Sequence, residues 1–361
     1  MSSTQQAPDH SRVLSSREIF LRACRCKEVP RVPVWIMRQA GRYLPEYRAL
    51  RAKHSFLEVC KTPDLAAEVS LQPLRRLSVD AVIVFSDILI VAEAMGLKLE
   101  LGDSGPNLPE PVRSPAEVHR LREFDPEQQT AFLPEAIRRL CRALGSDVPV
   151  LGFAAAPWTL ACYMIEGRAQ EGFPNAKAFL HDEPRGFRAL LDKIAGATVP
   201  YLKAQIAAGA SAVQLFDTWC GELSLADYQE HVLPATREVV SALKSAGVPV
   251  ILYTKASHHL LPAVVRTGAD VLSVDWRVSM SELRRLAGPS VAIQGNVDPA
   301  ALCASPRRVQ KAVSDALAEL HGRGHILNLG HGILPQTPVE NAVLFVHAGQ
   351  AARHEQFVSP K

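Results

Sequence analysis

Short, continuous apolar runs rich in β-branched residues recur along the chain, at 32–37, 81–85, 148–153, 212–216, 248–253, 271–274, 291–294 and 325–329. Each stops at a polar residue or a glycine, and most are followed by apolar positions at helical spacing, the pattern of βα units. Apolar residues at successive rather than alternate positions predict strands covered on both faces, as in a parallel sheet. Helix starts are written between the runs. Thr62-Pro63, Ser114-Pro115 with Glu117, Asp125-Pro126, Ser279 with Glu282, and Thr337-Pro338 with Glu340 each set a capping side chain ahead of a proline, a capping-box acid, or both. Eight such runs alternating with helices predict an α/β fold, a single distorted (β/α)8 TIM barrel over 17–361, with a doubly wound open sheet as the alternative. The runs are widely spaced early and closely spaced late, which assigns extra helices to the first half. The stretch 97–112, with Leu-Lys-Leu-Glu-Leu ahead of Gly and Pro, reads as a hairpin insertion.

Composition narrows the class. At 361 residues, 47% hydrophobic and 21% charged, the chain has enough apolar content for a sizeable core. Forty basic residues against 37 acidic leave a net charge of +3, too little to predict a nucleic-acid partner, so any attraction for anions is local. The polar residues 1–16 read as a disordered leader rather than a signal peptide. The greasy stretch 79–97 is interrupted by Asp80, Ser86, Asp87 and Glu93, which argues against a membrane span. Seven cysteines, an odd number with no C-x-x-C pair, fit neither a disulfide framework nor a zinc ribbon; a reducing, cytoplasmic setting is expected.

In a barrel, the chemistry sits where the strands end. The residues just after the eight runs are Arg38, Asp87, the 154–157 turn, Asp217 with Thr218, Lys255, Asp275, Asn296 and His331. The first of these loops is the most unusual, carrying Arg38, Arg42, Arg48 and Arg51 against the single acid Glu46, with Gly41 permitting close backbone approach. Guanidinium forks bind carboxylate or phosphate in pairs of hydrogen bonds, so an anionic small molecule is the natural ligand. Arg48 also fits a merely solvated helix face. Asp87 is flanked by apolar residues on both sides and needs partners, either a nearby arginine or N–H groups of a ligand. Asp275 and Asn296 suit capping of the following helices. His321, His325 and His331 do not form a metal set, because His325 opens a strand whose other end carries His331. Lys255 fits a structural or carboxylate-pairing use better than the Schiff-base chemistry of barrel aldolases.

Taken together, the residues from Arg38 to Arg51, Phe85-Ser86-Asp87-Ile88-Leu89, Ala156-Pro157-Trp158-Thr159-Leu160, Tyr163, Phe216-Asp217, Gln294-Gly295-Asn296-Val297-Asp298-Pro299 and Leu327-Asn328-Leu329-Gly330-His331-Gly332 make a chain that resembles the uroporphyrinogen decarboxylases. The likeness runs from about residue 31 to 348. It implies a homodimeric distorted barrel in porphyrin (haem or chlorophyll) biosynthesis, decarboxylating the four acetates of uroporphyrinogen III to give coproporphyrinogen III without metal or organic cofactor. It further implies that Arg38, Gln39, Ala40, Gly41, Arg42 and Arg51 line the substrate site, that Asp87 accepts from pyrrole N–H groups, and that Tyr163 and His331 complete the polar wall. Asp87, Arg38, Tyr163 and His331 are the expected catalytic group. Thr218 stands where the family carries serine, and the segment from Lys255 to His259 departs from the commoner glycine-rich form. The competing readings are a zinc-dependent corrinoid or thiol methyltransferase of the related barrels, a Schiff-base aldolase using Lys255, and a tetrapyrrole-binding module without turnover.

Overall fold

The computed structural model describes residues 13–102 and 105–352. Most of the expected leader, 1–12, lies outside the described residues; Ser15 forms a capping box with Glu18 that starts the helix Ser16–Cys24.

Seven parallel strands form one curled sheet: β1 (Val82–Ile83), β4 (Val150–Ala155), β5 (Ala212–Asp217), β6 (Val250–Thr254), β7 (Val271–Val274), β8 (Ala292–Val297) and β9 (His325–Leu329), adjacent in that order. The remaining two, β2 (Glu100–Gly102) and β3 (Gly105–Asn107), pair antiparallel as the hairpin expected within 97–112. Strands β4, β6, β7, β8 and β9 are buried throughout, which accounts for their largely apolar, non-alternating sequences.

The first expected strand, 32–37, is a correction: it is extended but forms no regular strand. Val34 makes an isolated parallel bridge to Leu327, and the Leu327 N–H donates to the Pro33 carbonyl at 2.9 Å. Its ladder is reduced because Pro33 has no N–H to give and, while the Trp35 N–H donates to the Leu327 carbonyl at 3.3 Å, side chains take those of Val34, Ile36 and Met37. Asp80 accepts from the Val34 N–H at 2.9 Å, Gln39 from Ile36 at 3.3 Å and Asn328 from Met37 at 2.8 Å. On its other side the Val34 carbonyl accepts from the Asp80 N–H at 2.7 Å, so the segment is bonded to β9 and to Asp80, two residues ahead of β1.

Two buried polar networks hold this seam. Asp80, 1% exposed, takes both Nη atoms of Arg31 at 2.6 Å, as well as the Ser16 hydroxyl at 2.7 Å. Inside the curl, Trp35 Nε1 donates to Gln294 Oε1 at 2.9 Å, and Gln294 Nε2 donates to Gln214 at 3.0 Å and to Ser273 at 2.9 Å. These links tie the 31–36 segment to β8, β7 and β5 through the interior, and because every member is buried each link offsets a desolvation cost.

The expected helix starts are largely realised: Ser114, Asp125 and Ser279 accept from backbone N–H groups two or three residues ahead. Two differ. Thr62 precedes the helix Pro63–Leu77 but makes no side-chain cap, and the last helix starts at Val339, with Pro338 rather than Thr337 at its cap. Thr337 is buried, its N–H bonded to the Leu334 carbonyl at 3.1 Å, so it belongs to the turn before. Among the described residues no helix is long and apolar enough to cross a membrane.

Candidate active site at the strand ends

Arg38 follows the 31–36 segment in a left-handed conformation, φ 60°, which a residue with a Cβ rarely adopts. The turn lays its side chain against Gly332, where any Cβ would overlap Arg38 Cγ and Cδ; this contact, rather than turn flexibility, requires glycine in the loop after β9. Gly41 sits against the same turn, where a Cβ would lie 3.2 Å from the Arg38 carbonyl oxygen. Among the described residues neither Arg38 nor Arg42 makes a side-chain hydrogen bond or ion pair, and both are exposed.

The other loop residues divide. Gln39 is fully buried, its amide donating to the Ala81 carbonyl at 3.1 Å and its own backbone carbonyl accepting from Tyr43 Oη at 2.8 Å, so its side chain braces the loop from beneath. Ala40 and Gly41 are half-buried. Arg48 folds back onto the carbonyls of Arg42 and Tyr43 at 2.8 and 3.0 Å and serves the loop's own structure. Arg51 donates to the His54 carbonyl and lies 5.7 Å from the Phe56 ring centre. Phe56 and Tyr47 both pack on Phe85, two residues before Asp87.

Asp87 is half-buried. Oδ1 accepts from the Leu89 N–H at 2.8 Å, and its carboxylate makes no ion pair among the described residues. Burial raises its pKa above the ordinary range, opposed by that N–H and the charge of Arg38. Tyr163 projects from the helix Pro157–Glu166, its ring 6.3 Å from Trp219. Burial raises its phenol pKa; the Trp219 indole and Arg38 oppose the rise and Asp87 adds to it, so all three flank the same space.

His331 closes the wall after β9. Burial, reinforced by Arg38, Lys255 and Arg277, lowers its pKa to about 3, so the ring is neutral in neutral solution. Nδ1 accepts the Gly332 N–H at 2.5 Å, leaving the ring proton on Nε2 as a donor. Tyr253 meets the ring edge-on at 6.2 Å and anchors the loop through Oη to the Gly330 carbonyl at 2.9 Å.

Thr218 is half-buried beside Asp217, which is fully buried and accepts from Thr159 Oγ1 at 2.9 Å. Thr159 in turn accepts the Trp219 N–H at 3.2 Å, and Trp158 Nε1 donates to the Trp219 carbonyl at 2.9 Å. Asp217 thus holds Trp219 through one intermediate. Asp275 and Asn296 are structural, as anticipated, but not as simple caps. Asp275 Oδ2 accepts from the Ala256 N–H at 3.1 Å and from Arg277 Nη1 at 2.6 Å, while Asn296 donates to the carbonyls of Asp275 and Val278 at 3.1 and 2.7 Å. Arg277, with Trp276 stacked beneath it at 4.4 Å, was not singled out in the sequence; its position two residues past a strand-end aspartate is the signal that marks it. Among the described residues no group of three or more His, Cys, Asp or Glu side chains could hold a metal ion. His325 is buried away from His331, bonded to the Gly295 carbonyl at 3.0 Å.

The chain matches the family model for uroporphyrinogen decarboxylase (URO-D) over residues 15–352. It is 49% identical over 329 residues to the uroporphyrinogen decarboxylase of Myxococcus xanthus, covering 91% of this chain and 94% of that protein. With the enzyme of the same name from Carboxydothermus hydrogenoformans it shares 46% over 346 residues, 94% of this chain and 99% of the other. Among solved structures, a methyltransferase from Methanosarcina mazei superposes with a TM-score of 0.77 at 21% identity, over 94% of this chain and 99% of that one, a likeness of fold.

Proposed function

The chain belongs to the uroporphyrinogen decarboxylase family, and from that premise we propose that it converts uroporphyrinogen III to coproporphyrinogen III by removing carbon dioxide from four acetate side chains, with no metal or organic cofactor. The observation that carries this reading is the state of Asp87: a desolvated carboxylate at the strand ends, beside Arg38 and Tyr163, bonded to one backbone N–H and to no cation among the described residues. Such a group suits a ligand that brings N–H donors. Pyrrole N–H groups donating to it would offset the cost of its burial and favour its ionised form.

The chemistry then needs no external electron sink. Protonation of the ring carbon next to the one bearing the acetate creates a cation delocalised over the ring, including the carbon to which the acetate is attached. The bond to the carboxylate breaks, its electron pair neutralises the ring, and carbon dioxide leaves. A second proton taken at the exocyclic carbon, with the first returned from the ring, completes the methyl group, so each turnover consumes one proton and releases one carbon dioxide. An anion about 4 Å from the cation at an effective dielectric near 20 contributes about 4 kcal/mol, roughly a thousandfold in rate. Arg38, Arg42 and Arg51 would bind carboxylates and hold the macrocycle; Ala40, Gly41 and Thr218 would line it; Tyr163 and the Nε2–H of His331 would complete the polar wall, and Gln39 would support the loop.

We read the 31–36 segment as the eighth strand of a closed (β/α)8 barrel, a reading supported by its hydrogen bonds to β9 on one side and Asp80 on the other, with 17–361 as one catalytic domain. A homodimer in the cytoplasm is part of the same reading. The methyltransferase alternative has the weaker support, a fold likeness at 21% identity without a gathered zinc-ligand set among the described residues. Anaerobic incubation with uroporphyrinogen, followed by oxidation and counting of carboxylates, is the test. Products with four fewer carboxylates are expected, and an unchanged count overturns the proposal.

A further inference from the structure

We infer that Lys255 is a carboxylate-binding residue of this site, receiving the substrate on the side away from the Arg38–Arg51 loop, with Arg277 beside it. The inference rests on the decarboxylase reading and extends it to a residue that reading leaves without a role.

The placement follows from strand order. Between the 31–36 segment and β6 stand β1, β4 and β5 in one direction, and β7, β8 and β9 in the other. Lys255, the first residue after β6, therefore emerges diametrically across the curl from Arg38. A macrocycle with acetates on all four pyrroles presents anions around its whole rim, and arginines from a single loop reach only part of it.

The side chain is held for such a role. Lys255 is half-buried, its Nζ is 5.1 Å from the Trp219 ring centre, and it makes no ion pair or hydrogen bond through its ammonium among the described residues. Its backbone is clamped. A Cβ at Gly221 would come within 2.6 Å of the Lys255 and Ala256 carbonyls, and the Ala256 N–H is fixed by buried Asp275. Trp219 beneath it is fixed in turn by Thr159 and Trp158. Arg277 is oriented from behind by Asp275 and keeps its side chain 49% exposed. Burial, the neighbouring Arg277 and, more weakly, Arg38 across the curl lower the Lys255 pKa, as for an ammonium without a counter-ion. Asp275 and Glu222 act on it in the opposite sense. An incoming carboxylate supplies the missing partner.

Lys255→Met and Lys255→Arg, with folding verified by urea midpoint, test the inference in two assays. With uroporphyrinogen, Lys255→Met should raise KM about ten- to a hundredfold, the range of one charge-assisted hydrogen bond, with kcat within about threefold of the parent. Lys255→Arg should recover most of the loss, since arginine keeps the charge but cannot form a Schiff base. Independently of turnover, the affinity for oxidised uroporphyrin, which keeps all four acetates, followed by quenching of tryptophan fluorescence, should fall in Lys255→Met. A parent protein that leaves the carboxylate count of uroporphyrinogen unchanged overturns the decarboxylase reading. Folded Lys255→Met with unaltered porphyrin affinity overturns this inference whether or not the parent turns over.

Discussion

At the residue scale, Asp87 and His331 illustrate how environment sets chemical role. Replacing Asp87 by Asn preserves shape and most substrate contacts but removes the charge opposite the developing cation. We expect kcat to fall about a thousandfold with KM changed far less; steady-state decarboxylation rates check this, and an unimpaired kcat refutes charge stabilisation. His331, with its pKa lowered to about 3 and Nδ1 occupied by the Gly332 N–H, should give the nitrogen NMR signature of the neutral Nε2–H tautomer throughout pH 5–8. Both residues were legible in the sequence, because each stands at the end of an apolar run. Arg48 and Gln39 were less so. They share a loop with Arg38 and Arg42, and spacing alone does not tell which side chains turn back onto backbone carbonyls and which remain without a partner.

At the element scale, the segment 31–36 depends on side chains where a regular strand depends on its ladder. Asp80 alone receives Arg31, Ser16, Val34 and Gln350. Removing one partner of a buried ion pair leaves the other uncompensated, so Asp80→Ala should destabilise the protein by about 3 kcal/mol, read as a lower urea midpoint. The segment's apolar pattern was read as a regular strand, and Pro33, which has no N–H to give, was the one sign in the sequence against it. The rest of its irregularity was not legible, since Asp80 and Asn328, which take the Val34 and Met37 N–H groups, come from elsewhere in the chain. Similarly, the buried link from Trp35 through Gln294 to Gln214 and Ser273 joins residues far apart in sequence, and a glutamine within an apolar run carries no sign of its distant partner.

Across the whole molecule, burial of Asp217 makes stability depend on pH. Its pKa is raised to about 7 by desolvation, opposed by Thr159, against about 3.9 in an unfolded chain. Below about pH 4 the carboxyl is neutral in both states. As pH rises from 4 to 7 the unfolded chain ionises first, so this group's contribution to stability is progressively lost, by up to about 4 kcal/mol at completion. Asp217→Asn should flatten that part of the profile, seen as a smaller change in urea midpoint between pH 4.5 and 7.5 than in the parent; an identical change in both proteins refutes the assignment. Asp217 also positions Trp219, so its titration bears on the wall where Lys255 stands.

Local chemistry in the chain was enough to determine the succession of βα units, most helix starts, the inserted hairpin, the arginine-rich first loop and the polar residues at the strand ends. Strand burial, capping and turn preference act over a few residues and leave their mark in composition and spacing. Tertiary structure alone decided which of those polar residues meet: that Arg38 lies against Gly332, that Asp87 has no counter-ion among the described residues, and that Lys255 and Arg277 emerge across the curl from the arginine loop. Those relations arise from the curl of one seven-stranded sheet, which juxtaposes side chains hundreds of residues apart.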